Sequence, residues 1–178
     1  MLQLTVPAAR YFDERTEEFV EYPSVSLKLE HSLISISKWE SKWHKSFLNS
    51  ESYTREEFLD YVRCMSLDPN TTYSSIVRIG NRELAIIKKY INEPMTATTF
   101  HNRKKSSTRA TVTAEIIYYW MINFDIPFEC EKWHINRLLT LIEVCSIKQN
   151  PTKMSKQDAA MMRAMANESR RKKLGTKG

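Results

Sequence analysis

The chain has 178 residues, 42% of them apolar and 27% charged, with only three Gly and six Pro. That composition excludes a disordered or fibrous chain and is ample for one buried core. The net charge of +6 is uneven: residues 1–30 carry three Lys/Arg against six Asp/Glu, while residues 148–178 carry nine against two. The pattern is a near-neutral body with a basic tail, not a basic domain.

Three cysteines, few and odd in number, argue against a disulfide scaffold and for a reducing compartment. The N-terminal "MLQLTVPAARYFDERTEEF" has no basic start and turns acidic early, unlike a secretory signal. The longest apolar run, "IIYYWMINF", is far too short to span a bilayer. The expected location is cytoplasmic, with no membrane partner.

Through residues 1–30 apolar side chains recur at every second position, as at Val25, Leu27 and Leu29. This is the period of a half-buried strand. Polar "DERTE" reads as a loop and Pro23 as a break, so a small antiparallel sheet of three or four strands is expected. From Ser35 the period lengthens: Ile36, Trp39, Trp43 and Phe47 fall three or four apart and form an aromatic stripe on one predicted helical face. "TREE" at 54–57 is a capping box opening a helix that ends before Asp68-Pro69. After a polar loop, "NRELAIIKKYINEP" predicts another helix with Pro94 beyond its end. "TATTFHNRKKSSTRATVT" has no apolar period and reads as an exposed loop. "AEIIYYWMINF" and "CEKWHINRLLTLIEVC" predict two helices joined at Ile126-Pro127. Asn150-Pro151 closes the body, and Ser155 with Asp158 caps a last helix toward Leu174.

The fold class expected is α+β: a short N-terminal antiparallel sheet (1–30) packed by about five helices (35–147) in a body spanning 1–150. An appended basic Met/Ala-rich helix or tail occupies 151–178.

Cys130, His134 and Cys145 bracket a leucine-rich run and invite a metal reading. Cys130 and His134, at i and i+4, share a face of the predicted helix. Cys145 lies roughly 22 Å further along a continuous helix, so the set of ligands that zinc requires does not assemble. These residues are expected to be core, with no metal and no cofactor. Catalysis has no better basis. Only Gly80 precedes residue 150, so no glycine-rich loop can cradle a phosphate. No nucleophile elbow, metalloprotease or paired-carboxylate spacing appears either. The expectation is no enzyme and no catalytic residues.

Arg103, Lys104, Lys105 and Arg109 form one basic run and "SRRKKLGTK" another. Both can contact phosphates, but no recognition helix or aromatic nucleic-acid motif accompanies them. Nucleic acid is kept as an alternative partner on charge alone. In the tail, Met161, Met162 and Met165 lie among alanines ahead of Arg170, Arg171, Lys172 and Lys173. Methionine makes an adaptable surface for helical partners of loosely defined sequence.

"SLISISKWESKWHKSFL", "TATTF", "AEIIYYWMINFDIPFECEKWHINRLLTLIEVC" and "KMSKQDAAMMRAMANESRRKKLGTKG" together cover most of the chain. They resemble a group of phage and prophage tail-morphogenesis proteins, similar to the tail assembly chaperones of long-tailed phages. The resemblance implies a non-enzymatic protein of the bacterial host's cytoplasm. It would coat the long hydrophobic tape measure protein until tail-tube subunits polymerise around it, with the tail-tube protein and self-association as further contacts. A structural virion component of the tail or neck is the alternative that shares this setting. Candidate partner-binding residues are Trp39, Trp43 and Phe47, the Tyr118, Tyr119 and Trp120 face, and Met161, Met162, Met165, Arg170, Arg171, Lys172 and Lys173 in the tail.

Overall fold

A computed structural model describes residues 1–50, 52–100 and 111–149, together with Ala164, Asn167, Glu168, Arg170, Arg171 and Gly175. The chain divides into two compact units, Met1–Glu143 and Val144–Gly178. The division falls inside the last long helix, ahead of Asn150-Pro151.

The fold is α+β, as the patterning predicts. Four strands open the first unit: β1 (Leu2–Val6), β2 (Ala9–Asp13), β3 (Glu18–Tyr22) and β4 (Val25–Leu29). β1 pairs antiparallel with β4, matching Leu2 to Leu29 and Val6 to Val25, and β2 pairs antiparallel with β3, matching Ala9 to Tyr22. One register runs through both ladders, so the strands form a single long hairpin interrupted where Pro7 and Pro23 stand. Proline has no N–H to give a ladder and a fixed φ, so the break falls there.

The two halves of the hairpin differ in burial. Leu4, Val6, Leu27 and Leu29 on the base are buried. Here apolar and polar residues alternate, and one face meets the helices. The base also gains backbone partners on its β4 side. Leu67 donates its N–H to the Lys28 carbonyl at 2.9 Å, Glu30 donates to the Met65 carbonyl at 2.9 Å, and Leu29 bridges Ser66. The outer ribbon β2–β3 has no third strand among the described residues.

Helices α1 (Leu33–Trp43), α2 (Arg55–Met65), α3 (Tyr73–Val77), α4 (Asn81–Ile91), α5 (Ala114–Asn123) and α6 (Ile135–Gln149) follow, with a 3-10 turn at Phe128–Lys132. Ser32 caps α1 and Thr54 caps α2, each as one half of a reciprocal capping box, with Ser35 and Glu57 as the returning partners. Such a cap satisfies two otherwise orphaned N–H groups.

Three expectations require correction. The aromatic stripe does not run along one helix: α1 ends at Trp43 with His44 in the left-handed region at φ 52°, and Phe47 enters the core from the turn beyond it. The stretch read as a polar loop after α2 contains the short helix α3. The predicted helix from Cys130 is broken. Cys130 belongs to the 3-10 turn, Trp133 is extended, and α6 begins only at Ile135. Cys130 and His134 therefore do not share a helix face. The cause is tertiary: Ile135 donates its N–H to the His31 carbonyl at 2.7 Å and Ser32 bridges His134.

The core of the first unit is aromatic. Trp39 is fully buried and donates its indole N–H to the Glu57 carbonyl at 2.9 Å. Phe47 stacks on Tyr61 with 3.7 Å between ring centroids and on Tyr53 with 5.0 Å. Each large side chain enclosed in this way contributes roughly 1.5–3 kcal/mol.

Candidate functional site

Two places in the first unit bring chemically active or uncovered side chains together. The first is interior. His31, only 2% exposed, hydrogen-bonds through Nδ1 with the Tyr61 hydroxyl. Its ring meets that of His134 at 5.0 Å between centroids. His134 donates its Nε2–H to the Tyr90 carbonyl at 3.1 Å and accepts the Asn136 N–H on Nδ1 at 3.3 Å. Because a carbonyl can only accept, that pair of bonds fixes the neutral tautomer. Burial pulls His31 down to about 3, with the neighbouring His134 as a lesser cause, and burial also lowers His134. Both imidazoles are neutral near pH 7.

Beside them lies a cavity of about 610 Å³ lined by Phe47, Tyr53, Phe58, Lys88, Asn92 and Asn136, with His31 in its wall. A general base works best with a pKa near the operating pH. His31 bonds the Tyr61 hydroxyl, but burial holds its imidazole far below neutrality. Each side chain in this cluster has a packing or backbone-binding task. Glu30 joins the β-base to α4 by accepting the Tyr90 hydroxyl at 2.6 Å and pairing with the Met1 amine at 2.7 Å. Among the described residues no three His, Cys, Asp or Glu side chains converge as metal ligands would.

The second place is the outer ribbon. Tyr11 (53%), Phe12 (52%) and Phe19 (58%) are exposed on β2 and β3, and Tyr73 (52%) is exposed on α3. Cross-strand partners share a face. Tyr11 and Val20 therefore lie on one side of the ribbon, and Phe12 and Phe19, 5.1 Å apart, on the other. A two-stranded ribbon normally needs one face covered to be stable; this one presents aromatic side chains on both. Between the first face and α3 runs an open groove of about 780 Å³ whose lining includes Tyr11, Val20, Tyr22, Tyr73 and Val77 together with the charged Asp13, Glu14, Arg15 and Arg78. Arg78 anchors its inner end, donating to the Pro7 carbonyl at 3.1 Å and the Pro23 carbonyl at 3.2 Å and lying 5.1 Å over the Tyr22 ring.

The predicted partner-binding residues are dispersed. Trp39 and Phe47 are buried core and present no surface. Trp43 is half-buried and donates its indole N–H to Asp60 at 2.9 Å. On α5, Tyr118 is half-buried with its hydroxyl on Glu131 at 2.8 Å, Trp120 is half-buried, and Tyr119 is 64% exposed. Arg170 and Arg171 are helical and exposed. Met161, Met162, Met165, Lys172 and Lys173 lie outside the described residues, as do Arg103, Lys104, Lys105 and Arg109 of the basic loop. The ribbon was not singled out by sequence reasoning. Its signal was the adjacent pair Tyr11-Phe12, since consecutive aromatics in a strand point to opposite faces.

No protein-family profile, curated protein or solved structure matches the chain. Among the described residues no helix is long and apolar enough to cross a membrane.

Proposed function

We propose that this chain is a phage tail assembly chaperone, which binds the tape measure protein in the host cytoplasm and keeps it in solution until the tail tube forms. The observation that carries the reading is the outer ribbon, where Tyr11, Phe12 and Phe19 stand exposed on a two-stranded hairpin. Aromatic side chains left exposed on both faces of a ribbon are surface that a protein partner can cover. Binding through such a surface needs no nucleotide, metal or covalent step, so the chain acts as a binding protein and not as an enzyme. The resemblance of the central block and the Met-rich ending to tail-morphogenesis proteins supplies the identity of the partner. Tyr119 and the Arg170 and Arg171 guanidinium groups, all exposed, are further contacts available to a long helical partner.

The test is co-expression with the tape measure protein encoded in the same tail region. The chaperone raises the soluble fraction of the tape measure protein and co-purifies with it, and is absent from purified virions. A stoichiometric band in mature particles assigns the chain instead to the virion structure and rejects the chaperone reading.

A further inference from the structure

We propose that the β2–β3 ribbon and α3 form a docking groove for polypeptide segments that are apolar and flanked by lysine or arginine. The inference rests on the reading of the chain as a protein-binding assembly factor and specifies the surface and the chemistry of its partner.

The apolar part of the argument is the groove. Tyr11 and Tyr73 face it from opposite sides, each more than half exposed, with Val20 and Val77 between them. The charged part is the ribbon tip. Arg10 pairs with Glu21 at 3.5 Å and lies over the Phe19 ring at 4.3 Å, Arg15 pairs with Asp13 at 3.8 Å, and Arg78 is engaged by backbone carbonyls. Among the described residues Glu14, Glu17 and Glu18 have no such cation. The tip thus carries an uncompensated negative charge beside an uncovered aromatic groove. Glu17 stands at φ 53°, a left-handed conformation that costs a residue with a side chain about 1 kcal/mol or more and that glycine or asparagine adopts readily. A carboxylate thus occupies a turn position where glycine would be less strained.

The charge also selects among occupants. Two ribbons packed groove to groove and tip to tip would bring the Glu14, Glu17 and Glu18 carboxylates of both copies together, and like charges so juxtaposed oppose that association. A foreign segment with apolar side chains for the groove and Lys or Arg beyond them meets both features.

The experiment uses the full-length protein and two fluorescein-labelled synthetic peptides that share one apolar core, one flanked by lysines and the other by glutamates. The expected result is at least tenfold tighter binding of the lysine-flanked peptide, weakened by 0.5 M salt as a contact between exposed charges is. Tyr11→Ser with Tyr73→Ser should weaken that binding at least tenfold while the protein still melts cooperatively, because each side chain is about half exposed and outside the core. Glu14→Lys with Glu18→Lys should erase or reverse the preference between the peptides. Equal affinity for the two peptides, or no binding of either, overturns the proposal. So does concentration-dependent dimerisation that the tyrosine variant abolishes, which makes a second copy the occupant. Loss of the peptide preference alongside intact solubilisation of the tape measure protein rejects only the groove. Peptide binding as expected without any effect on the tape measure protein rejects only the chaperone reading.

Discussion

The rings of His31 and His134 meet edge to face at 5.0 Å between centroids, both closed off from solvent at the junction of the β-base, α2 and the start of α6. Two imidazoles so placed cannot both take up a proton without burying adjacent like charges. Tyr61, Phe47 and Tyr90 are the other rings around them. Two carboxylates, Glu30 and Glu93, favour the charged form of His134, and Glu30 is engaged by the Met1 amine and the Tyr90 hydroxyl.

This arrangement makes stability pH-dependent with a definite sign. An unfolded chain protonates His31 at its ordinary 6.5, whereas the folded chain does so only at about 3. The unfolded state therefore binds more protons throughout that window. Stability is fully present above 6.5 and is lost as pH falls toward 3, at about 1.4 kcal/mol per pH unit for one such histidine. His134 adds a loss of the same sign. Glu40, which burial raises above its ordinary 4.5, opposes it only at the acid end. Urea unfolding at pH 7.5, 6 and 5 should show this slope, and His31→Gln should reduce it while lowering stability at pH 7.5. Parallel pH profiles for the wild type and the variant would contradict the assignment.

Glu40 is the second buried polar residue whose removal has a calculable outcome. Its carboxylate accepts the Phe47 N–H on one oxygen and the Ala114 N–H on the other, each at 2.7 Å. It thereby fixes the turn that delivers Phe47 and takes the place of a side-chain cap for α5, where Thr113 provides none. A carboxylate at a helix N-terminus also meets the helix dipole favourably. Glu40→Ala leaves two buried donors without acceptors and should cost about 2–5 kcal/mol. Glu40→Gln retains one acceptor and should cost less. Denaturant unfolding gives the two losses, and hydrogen exchange at the Ala114 amide should accelerate in the Ala variant first.

Much of this architecture is legible in the sequence, and the exceptions share a cause. The capping box at Thr54 and Glu57, the β-base alternation and the apolar periods of α2, α4 and α5 are local signals that tertiary contacts leave in place. The break between Cys130 and Ile135 has no Gly or Pro to announce it. It arises because the His31 carbonyl takes the Ile135 N–H and the Tyr90 carbonyl takes the His134 ring, both from distant parts of the chain. Phe47 likewise looks like the next step of a helical stripe, and only the left-handed His44 takes it off the helix. The candidate groove escaped for a different reason. Alternation in residues 1–30 predicts one small sheet of half-buried strands, and that period alone does not separate the adjacent aromatics Tyr11 and Phe12 from the base strands.

The cysteine and histidine around the leucine-rich run give a sharp contrast between chemistry and packing. Burial pushes the Cys130 thiol up, the wrong direction for a thiolate ligand or nucleophile. Cys130→Ser should therefore leave partner binding intact at a packing cost of about 1 kcal/mol. His134→Gln should cost more, because it disturbs the bonds to the Tyr90 carbonyl and the Asn136 N–H. Elemental analysis of the purified protein should find no stoichiometric zinc. One equivalent of zinc that the Cys130 variant fails to retain would reverse this assignment.

The final prediction concerns truncation after Gln149. Among the described residues the buried apolar side chains run from Leu4 to Ile142, ahead of the basic segment. The ordering of residues 150–178 has little large apolar area to offset it: that stretch contains Met and Ala with Leu174 as its one large aliphatic. Fixing a residue's backbone costs about 1–2 kcal/mol in entropy, whereas each fully buried large side chain returns roughly 1.5–3 kcal/mol. The truncated protein should keep the far-ultraviolet circular dichroism expected of its helices and strands and melt cooperatively within a few degrees of the full chain. On the proposed function, co-purification with the tape measure protein should fall with loss of the tail's Met and Arg side chains, but should not vanish while the ribbon groove remains. A truncated chain that fails to fold would place part of the basic segment in the core. A truncated chain that binds as tightly as the full protein would leave the tail without a part in partner recognition.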